Sequence, residues 1–264
     1  MGNFELNKIY NESNLETMAR MQDCFIDLTV TSPPYDDLRN YNGYSFPFED
    51  IAKELYRVTK QGGVVVWVVN DATINGSETG SSFKQALFFM QCGFNLHDTM
   101  IWEKHTIPQN GNRYESAFEY MFVLSKGKPK TFNAIKVKKI YTDNRKTKKY
   151  QRDKTGIEQS GNVPQITEKI DYNIWKIDVG GGIVTNDKTA HQHPAIFPDE
   201  LAKKHIYTWS NEGDIVYDCF GGSGTTGKMA HLQKRNWILS EISEEYCKIA
   251  EKRIEPYLMQ TFLF

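Results

Sequence analysis

Cysteine is scarce in this sequence, and no two cysteines form a C-x-x-C pair. This spacing excludes the disulfide framework of a small secreted domain and a structural zinc site, so we predict no metal. The thiols are expected to be small buried hydrophobes in a protein of a reducing compartment. They are Cys24, Cys92, Cys219 and Cys247.

Long apolar runs are also missing. The run "GGVVVWVVN" is far shorter than the roughly 20 residues that cross a bilayer, and the N-terminal "MGNFELNKIYNESNLE" is too polar for a secretory signal. With 264 residues and a hydrophobic content of 39%, the chain can bury one large core without disulfides or structural metals. These properties predict a soluble globular domain.

The chain as a whole has no large excess of positive or negative charge, but one segment is strongly basic. The formal net charge is −1, yet the segment from Lys126 to Lys154 contains twelve Lys or Arg residues against two acids, Asp143 and Asp153, which makes it about +10. A basic block on a near-neutral chain indicates contact with a polyanion at one face. A solvated surface loop is the alternative interpretation.

Apolar strands alternate with amphipathic helices along most of the chain, which is typical of an α/β doubly wound, Rossmann-like sheet. From Gly127 to about Asn186 the pattern degrades, and we predict a loop-rich insertion there. The predicted units are therefore 1–126, 127–186 and 187–264. The predicted strands cover residues 24–31, 64–69, 97–104, 117–126, 214–220 and 236–241, and the predicted helices cover residues 49–60, 81–91, 198–210, 224–234 and 243–258.

A glycine-rich turn, "DIVYDCFGGSGTTGK", lies between a predicted strand and a predicted helix. Small residues let the backbone approach a ligand, and the helix N-terminus offers N–H groups. A nucleoside triphosphate is one candidate ligand, although Met229 stands where a magnesium-binding hydroxyl belongs. A dinucleotide is the second candidate, from the G-x-G-x-x-G spacing. The third is S-adenosylmethionine (SAM), with Glu241 accepting ribose hydroxyls and Asp218 orienting the loop or meeting an ammonium group.

The segment "TSPPY" at 31–35 ends an apolar strand with two prolines and an aromatic residue. Two consecutive prolines fix φ twice and remove two N–H donors, so neighbouring acceptors are held still. Taken alone, this corner is also compatible with a rigid turn that carries a packed tyrosine.

Together, "TSPPY" and "DCFGGSGTT" resemble the amino-methylating DNA methyltransferases of the permuted β group, in which a [DSN]-P-P-[YF] box precedes the cofactor loop. The segment "IWEKHTIPQNGNRYESAFEYMFVLSKG" is similar to that family's W-x-K … E segment. The segment "HQHPAIFPDELAKKHI" is similar to its HP-x-x-x-P-x-x-L segment.

The resemblance implies a SAM-dependent enzyme that methylates an exocyclic base amine. Ser32 Oγ and the Pro33 carbonyl would accept hydrogen bonds from the amine, Pro34 would hold these acceptors, and Tyr35 would stack on a base turned out of the helix. Serine in the first box position favours cytosine N4, and adenine N6 is the alternative. The alternative from another class is a nucleic-acid-binding module with a non-catalytic Rossmann-like site.

The resemblance also assigns two sets of binding residues. The DNA set comes from the basic insertion, in which Trp175 is expected to be core packing or a DNA contact. The predicted cofactor residues are Phe197, Pro198, Asp218, Phe220, Gly221, Gly222, Ser223, Gly224, Thr225, Thr226 and Glu241, and the predicted DNA-binding residues are Lys136, Lys138, Lys139, Arg145, Lys146, Lys148, Lys149 and Arg152.

The expected partners follow from the same resemblance. They are double-stranded DNA and a cognate restriction endonuclease, with the enzyme as a monomer or homodimer in the cytoplasm of a prokaryote or in a phage-infected cell.

Overall fold

A computed structural model describes residues 4–34, 46–104, 113–139, 149–152, 158–161, 167–178 and 197–260. The chain divides into two compact units, one of residues 1–133 with 173–264 and one of residues 134–172. The elements in chain order are β1 (Lys8–Tyr10), α1 (Asn14–Arg20), β2 (Ile26–Thr31), α2 (Phe48–Val58), β3 (Thr59–Val69), β4 (Thr73–Ile74), β5 (Ser77–Glu78), α3 (Ser81–Gln91), β6 (Asn95–Glu103), β7 (Phe118–Ser125), β8 (Lys136–Lys138), β9 (Lys149–Arg152), β10 (Glu158–Gly161), β11 (Glu168–Ile170), β12 (Ile174–Lys176), α4 (Asp199–Trp209), β13 (Ile215–Asp218), α5 (Thr225–Leu232), β14 (Asn236–Ser240) and α6 (Glu244–Gln260).

In the described part of the larger unit, eight strands form one sheet in the order β1-β14-β13-β2-β3-β7-β6-β12. All neighbours pair in parallel except β7, which runs antiparallel to both β3 and β6. The parallel neighbours β2 and β3 are joined through α2, and β13 and β14 are joined through α5, as the alternation of strand and helix patterns predicts. The predicted α/β Rossmann-like class is therefore confirmed.

The strand β3 is buried on both faces of the sheet. Its run of valines is buried throughout, and residues alternate between faces with a period of 2. Val65, Trp67 and Val69 belong to the core cluster that contains Met18 of α1, Leu55 of α2 and Phe89 of α3. On the other face, α4 contacts β2, and α5 contacts β13 and β14.

Five elements of the larger unit were not predicted. They are β1, α1, β4, β5 and β12, which are three, seven, two, two and three residues long. A three-residue strand is too short to show a period, and only pairing with a neighbour reveals it. The strand β12 lies within the predicted insertion but pairs with β6, and its Trp175 is 4% exposed. This tryptophan packs in the core, as the first of its two expected roles requires.

The smaller unit is built from short antiparallel pairs. The strand β8 pairs with β11, and β9 pairs with β10. Lys136 and Lys138 lie two residues apart on β8 and are both exposed, so they project from the same face of the strand. The assignment of 127–186 to target recognition stays a prediction.

The cysteines are free, and two of them depart from expectation. Cys219 and Cys247 are buried, whereas Cys24 is exposed and Cys92 is half-buried. Cys24 is exposed because it precedes β2 in a surface turn. The prediction that all four are buried is therefore wrong for Cys24 and only partly met by Cys92. Across the described ranges, no group of His, Cys, Asp and Glu could hold a metal ion, and no helix is long and apolar enough to cross a membrane.

Candidate active site

The carboxyl ends of β2 and β13 meet at one edge of the sheet. Their parallel register pairs Leu28 with Val216 and Thr29 with Tyr217. At the end of the pair, Thr31 Oγ1 donates a 2.6 Å hydrogen bond to Asp218 Oδ1. The segment that begins at Thr31 and the glycine-rich turn that follows Asp218 are therefore adjacent, although 187 positions separate these two residues in the chain.

The proline corner continues directly from that contact. Pro33 is buried, whereas Ser32 and Pro34 are partly exposed. The fixed φ of Pro33 and the restriction that a proline imposes on the residue before it limit the backbone conformations of this corner at the sheet edge. Tyr35, the fourth predicted catalytic residue, lies outside the described residues.

Asp218 orients the glycine-rich turn. Besides the bond from Thr31, its Oδ1 accepts a 3.0 Å hydrogen bond from the Phe220 N–H. Burial raises the pKa of the Asp218 carboxyl, and these hydrogen bonds oppose that rise. The Asp218 side chain is buried and hydrogen-bonded within the protein. The sequence left two roles open for it, orienting the loop or meeting an ammonium group, and these contacts correspond to the first.

The turn itself is tightly packed against the protein. The Gly221 N–H donates to the Ser240 carbonyl at 2.8 Å, which ties the turn to the end of β14. Gly224 has a φ of +80°, and a Cβ at this position would lie 2.7 Å from Ala250 Cβ of α6. Glycine is therefore required at this position both for its conformation and for its close approach to the helix.

The hydroxyl side chains of the turn point into the protein. Ser223, Thr225 and Thr226 are buried, and Thr226 Oγ1 donates to the Val30 carbonyl at 3.2 Å. These residues shape the loop through their side chains, which leaves their backbone groups as the means of contacting a cofactor. The N-cap of α5 is Gly224, which has no side chain to satisfy the first N–H groups of the helix.

Glu241 follows the last residue of β14 at the same edge. Its Oε2 accepts a 2.8 Å hydrogen bond from the Gly222 N–H, and its Oε1 accepts one of 2.8 Å from the Ser243 N–H. Burial raises the pKa of this carboxyl, while the backbone hydrogen bonds act in the opposite direction. Each carboxylate oxygen keeps a further lone-pair site, so the side chain can accept two hydroxyl donors from a ligand.

The aromatic and proline residues of the predicted cofactor set lie beside this edge. Phe220 packs against the rings of Phe46 and Trp67, with centroid separations of 5.7 and 6.2 Å. Pro198 is buried at the N-cap of α4, and Phe197 is partly exposed. Phe220 therefore connects the glycine-rich turn to the core cluster that includes residues of α2 and α3.

Residues of the segment that is similar to the family's W-x-K … E segment make structural contacts around the site. Trp102 Nε1 donates to the Ile177 carbonyl at 2.8 Å, and Lys104 forms an ion pair with Glu119 across β6 and β7. Lys126 Nζ donates to the Tyr56 carbonyl at 2.7 Å. These contacts join β6 to the end of β12, β6 to β7, and the end of β7 to α2.

The position of Lys228 argues against a nucleoside triphosphate as the ligand of the glycine-rich turn. In a triphosphate-binding loop this lysine would reach the phosphates, but here its side chain is 6% exposed and its Nζ lies 2.8 Å from Asp199 Oδ2. The cation is committed to a carboxylate inside the protein, which disfavours the nucleoside triphosphate interpretation.

The predicted DNA-binding residues are described only in part. Lys136 and Lys138 are exposed and Lys139 is partly exposed in the smaller unit. Lys149 and Arg152 lie in β9, but their side chains lie outside the description. Arg145, Lys146 and Lys148 lie outside the described residues altogether.

Sequence reasoning missed two side chains that organise the site. Thr31 lies directly before the predicted catalytic box, and only strand pairing shows that it bonds to Asp218. Arg253 lies in the C-terminal helix and is 1% exposed. Its helical spacing from Ile249 and Ala250, which are also buried, could have indicated a buried arginine.

Comparison with known proteins agrees with this geometry. The chain is 57% identical to the orphan methyltransferase M.BamHII of Bacillus amyloliquefaciens over 242 residues, which cover 90% of this chain and 91% of that protein. Its fold is similar to the PvuII DNA methyltransferase (cytosine-N4-specific), with a TM-score of 0.69, 21% identity, and coverage of 96% and 91% of the two chains. It is also similar to M1.HpyAVI in complex with SAM, with a TM-score of 0.59, 23% identity, and coverage of 93% and 98%.

The model of one protein family matches most of the chain. That family is described as DNA methylase, and the match runs from residue 26 to residue 252. It includes both the proline corner and the glycine-rich turn, which the structure brings together. The chain therefore belongs to the N6/N4 family of DNA methylases.

Proposed function

We propose that this DNA methyltransferase transfers a methyl group from SAM to the N4 amine of a cytosine turned out of duplex DNA. The observation that carries the proposal is the 2.6 Å hydrogen bond from Thr31 to Asp218. This bond joins the end of the strand before the proline corner to the residue before the glycine-rich turn. A direct transfer between two bound molecules requires such proximity between the sites proposed for the amine and for SAM.

The residues at the sheet edge fit SAM, which is the cofactor of this family. A ribose presents two hydroxyl donors, and Glu241 is a partly exposed carboxylate at a strand tip with lone-pair sites to accept them. The turn from Gly221 to Gly224 contains three glycines, so a bound SAM could approach its backbone closely. When bound, SAM supplies an electrophilic methyl group on a sulfonium centre.

The chain's own groups prepare the amine. The nitrogen lone pair of an exocyclic amine is delocalised into the base, which makes the nitrogen a poor nucleophile. Ser32 Oγ and the Pro33 carbonyl can each accept a hydrogen bond from the amine and draw its nitrogen toward tetrahedral geometry. These acceptors would prepare the amine for the methyl group that bound SAM would supply, with S-adenosylhomocysteine as the leaving group and the amine proton lost to water. Tyr35 is proposed to stack on the extruded base.

The choice of base depends on Ser32. In the family that the sequence resembles, serine in this position favours cytosine N4 and aspartate favours adenine N6. The serine side chain is neutral and partly exposed at the site. Cytosine N4 is therefore the preferred target, and adenine N6 is the second candidate.

Mass spectrometry of nucleosides tests this proposal directly. Unmethylated plasmid DNA is incubated with the protein and SAM, digested to nucleosides and analysed. We expect N4-methylcytosine, and N6-methyladenine in its place would correct the base assignment. A protein that binds SAM but modifies no base in any duplex substrate would overturn the proposal. A reaction without SAM serves as the blank.

A companion endonuclease and the oligomeric state belong to the same proposal. Relatives carry the names of type II and orphan methyltransferases. We propose a cytoplasmic enzyme of the restriction–modification type, monomeric or homodimeric, with a cognate endonuclease as its system partner.

The smaller unit is proposed to neutralise DNA phosphates. Replacing Lys136, Lys138 and Lys139 together by glutamine should lower the slope of log Kd against log salt concentration by about 2 to 3, since each phosphate contact contributes roughly 0.9. Fluorescence anisotropy with a labelled duplex measures this slope.

The matched control for this prediction replaces Lys8 and Lys234 by glutamine. Both are exposed and lie at the amino ends of β1 and β14, the edge of the sheet opposite Ser32. Their removal is expected to leave the slope unchanged. An equal decrease of the slope in both variants would show a general charge effect and contradict the assignment.

A further inference from the structure

The C-terminal helix α6 buries an arginine against the glycine-rich turn. The Arg253 side chain is 0% exposed. Its helix neighbours Ala250 and Ile254 approach the turn so closely that a Cβ on Gly224 would lie 2.7 and 3.3 Å from their side-chain atoms. A charged group in such a place is costly unless it is paired and hydrogen-bonded. Its partners therefore indicate what it does.

The partners on the turn are acceptors on both sides of Gly224. Arg253 Nη1 donates to the Ser223 carbonyl at 2.6 Å, to Ser223 Oγ at 2.8 Å and to Thr225 Oγ1 at 3.0 Å. Hydrogen bonds from a charged donor are the strong ones, and the planar guanidinium fixes their directions. Arg253 therefore restrains the part of the turn from Ser223 to Thr225 from inside the protein.

A carboxylate connects the arginine to a second segment. Arg253 Nη2 lies 3.3 Å from Asp199 Oδ1, and Lys228 Nζ of α5 lies 2.8 Å from Asp199 Oδ2. Asp199 is the first residue of α4 and directly follows Pro198. The charged cluster of Arg253, Asp199 and Lys228 therefore joins the start of α4, the glycine-rich turn and α6.

We propose that Arg253 is a positioning residue for SAM binding, acting through the turn at 223–225 and the segment that ends at Pro198. This inference rests on the proposed function, since both segments are proposed to contact SAM. A glycine-rich turn has many accessible conformations, and ordering it on binding would cost affinity. The guanidinium holds the turn in one conformation before the cofactor arrives, which is preorganisation.

The conservative variant Arg253→Lys tests this role. Lysine keeps the charge, but one ammonium group cannot reproduce the planar fork that reaches the turn and Asp199 together. We expect the Kd for SAM, measured by isothermal titration calorimetry, to rise about tenfold. At saturating SAM, kcat should stay within about threefold of the wild type, because the amine-binding corner is unchanged.

A second buried arginine provides the matched control. Arg235 is 8% exposed and donates to Ser210 Oγ at 3.0 Å and to the Ser210 carbonyl at 2.7 Å, contacts that do not involve the turn. Arg235→Lys is expected to lower Tm without changing the Kd for SAM. An unchanged Kd in Arg253→Lys overturns the proposal, and so does an equal rise in both variants.

A milder variant covers the case in which Arg253→Lys does not fold. Asp199→Asn keeps a similar shape but removes the charge that Arg253 and Lys228 share. It should raise the Kd for SAM about threefold, and an unchanged Kd overturns the coupling. A wild-type protein that does not bind SAM would instead refute the proposed function, so the two failures are distinguishable.

Discussion

Replacing Ser32 by alanine is expected to lower kcat by about 100-fold while the Kd for SAM stays within about twofold. The Ser32 hydroxyl is proposed to accept a hydrogen bond from the base amine. It lies in the proline corner and is not part of the glycine-rich turn, which is proposed to bind SAM. Losing an acceptor aimed at the reacting group therefore affects turnover and leaves cofactor binding intact. Single-turnover kinetics with tritiated SAM and a plasmid substrate measure the chemical step.

A buried serine at the opposite edge of the sheet serves as the control for this experiment. Ser125 ends β7, and its Oγ donates to the Gly127 carbonyl at 2.8 Å. Ser125→Ala removes the same atom from the same sheet and should leave kcat unchanged. A wild-type kcat in Ser32→Ala would show that the hydroxyl does not assist the amine.

Replacing Glu241 by alanine is expected to raise the Kd for SAM about 100-fold. The substitution removes the acceptor proposed for the ribose hydroxyls. It also leaves the Gly222 and Ser243 N–H groups without the oxygens that now accept from them at 2.8 Å. Glu244→Gln is the control, because Glu244 is exposed and pairs with Lys248 on the outside of α6. A Kd for SAM in Glu241→Ala equal to that of the wild type would contradict the assignment.

The affinity for SAM should also depend on pH through Glu241. Burial raises the pKa of this carboxyl, and only the ionised form accepts hydrogen bonds through both oxygens. The affinity should therefore fall as the pH is lowered through that raised pKa, beginning at a higher pH than for an ordinary glutamate. Calorimetric titrations across this range with the wild type and Glu241→Gln isolate the effect, because Asp218 is the same in both proteins.

The sequence predicted the main strands and helices well because their patterns are local. The buried face of α2 follows a period of 3.6 that can be counted along the chain, and Ile51, Leu55 and Val58 on that face are all buried. The strand β3 contains a continuous apolar run, which is typical of a strand covered on both faces. The short elements β1 and β12 were missed because three residues carry no periodic signal. Their existence depends on the neighbouring strands β14 and β6, to which they bond.

The candidate site was named from the sequence for a similar reason, and the roles of its residues stay predictions. The box from Ser32 to Tyr35 and the turn from Phe220 to Thr226 have unusual local composition, and their residue types indicate their chemistry. The directions of the side chains could not be predicted. Ser223 and Thr225 point toward Arg253, as shown by hydrogen bonds to residues about 30 positions away. Such bonds depend on how α6 packs on the turn, which is a long-range property.

The sequence by itself determined the family, the order of the two motifs and the alternation that makes an α/β sheet. Each of these depends on residue types close together in the chain, where glycine, proline and apolar periodicity act directly on the backbone. Only the tertiary structure decided that Thr31 bonds to Asp218 and that Arg253 donates hydrogen bonds to the glycine-rich turn from within the protein. These contacts join residues that are distant in the chain, and they form because parallel strand pairing and helix packing bring those residues together.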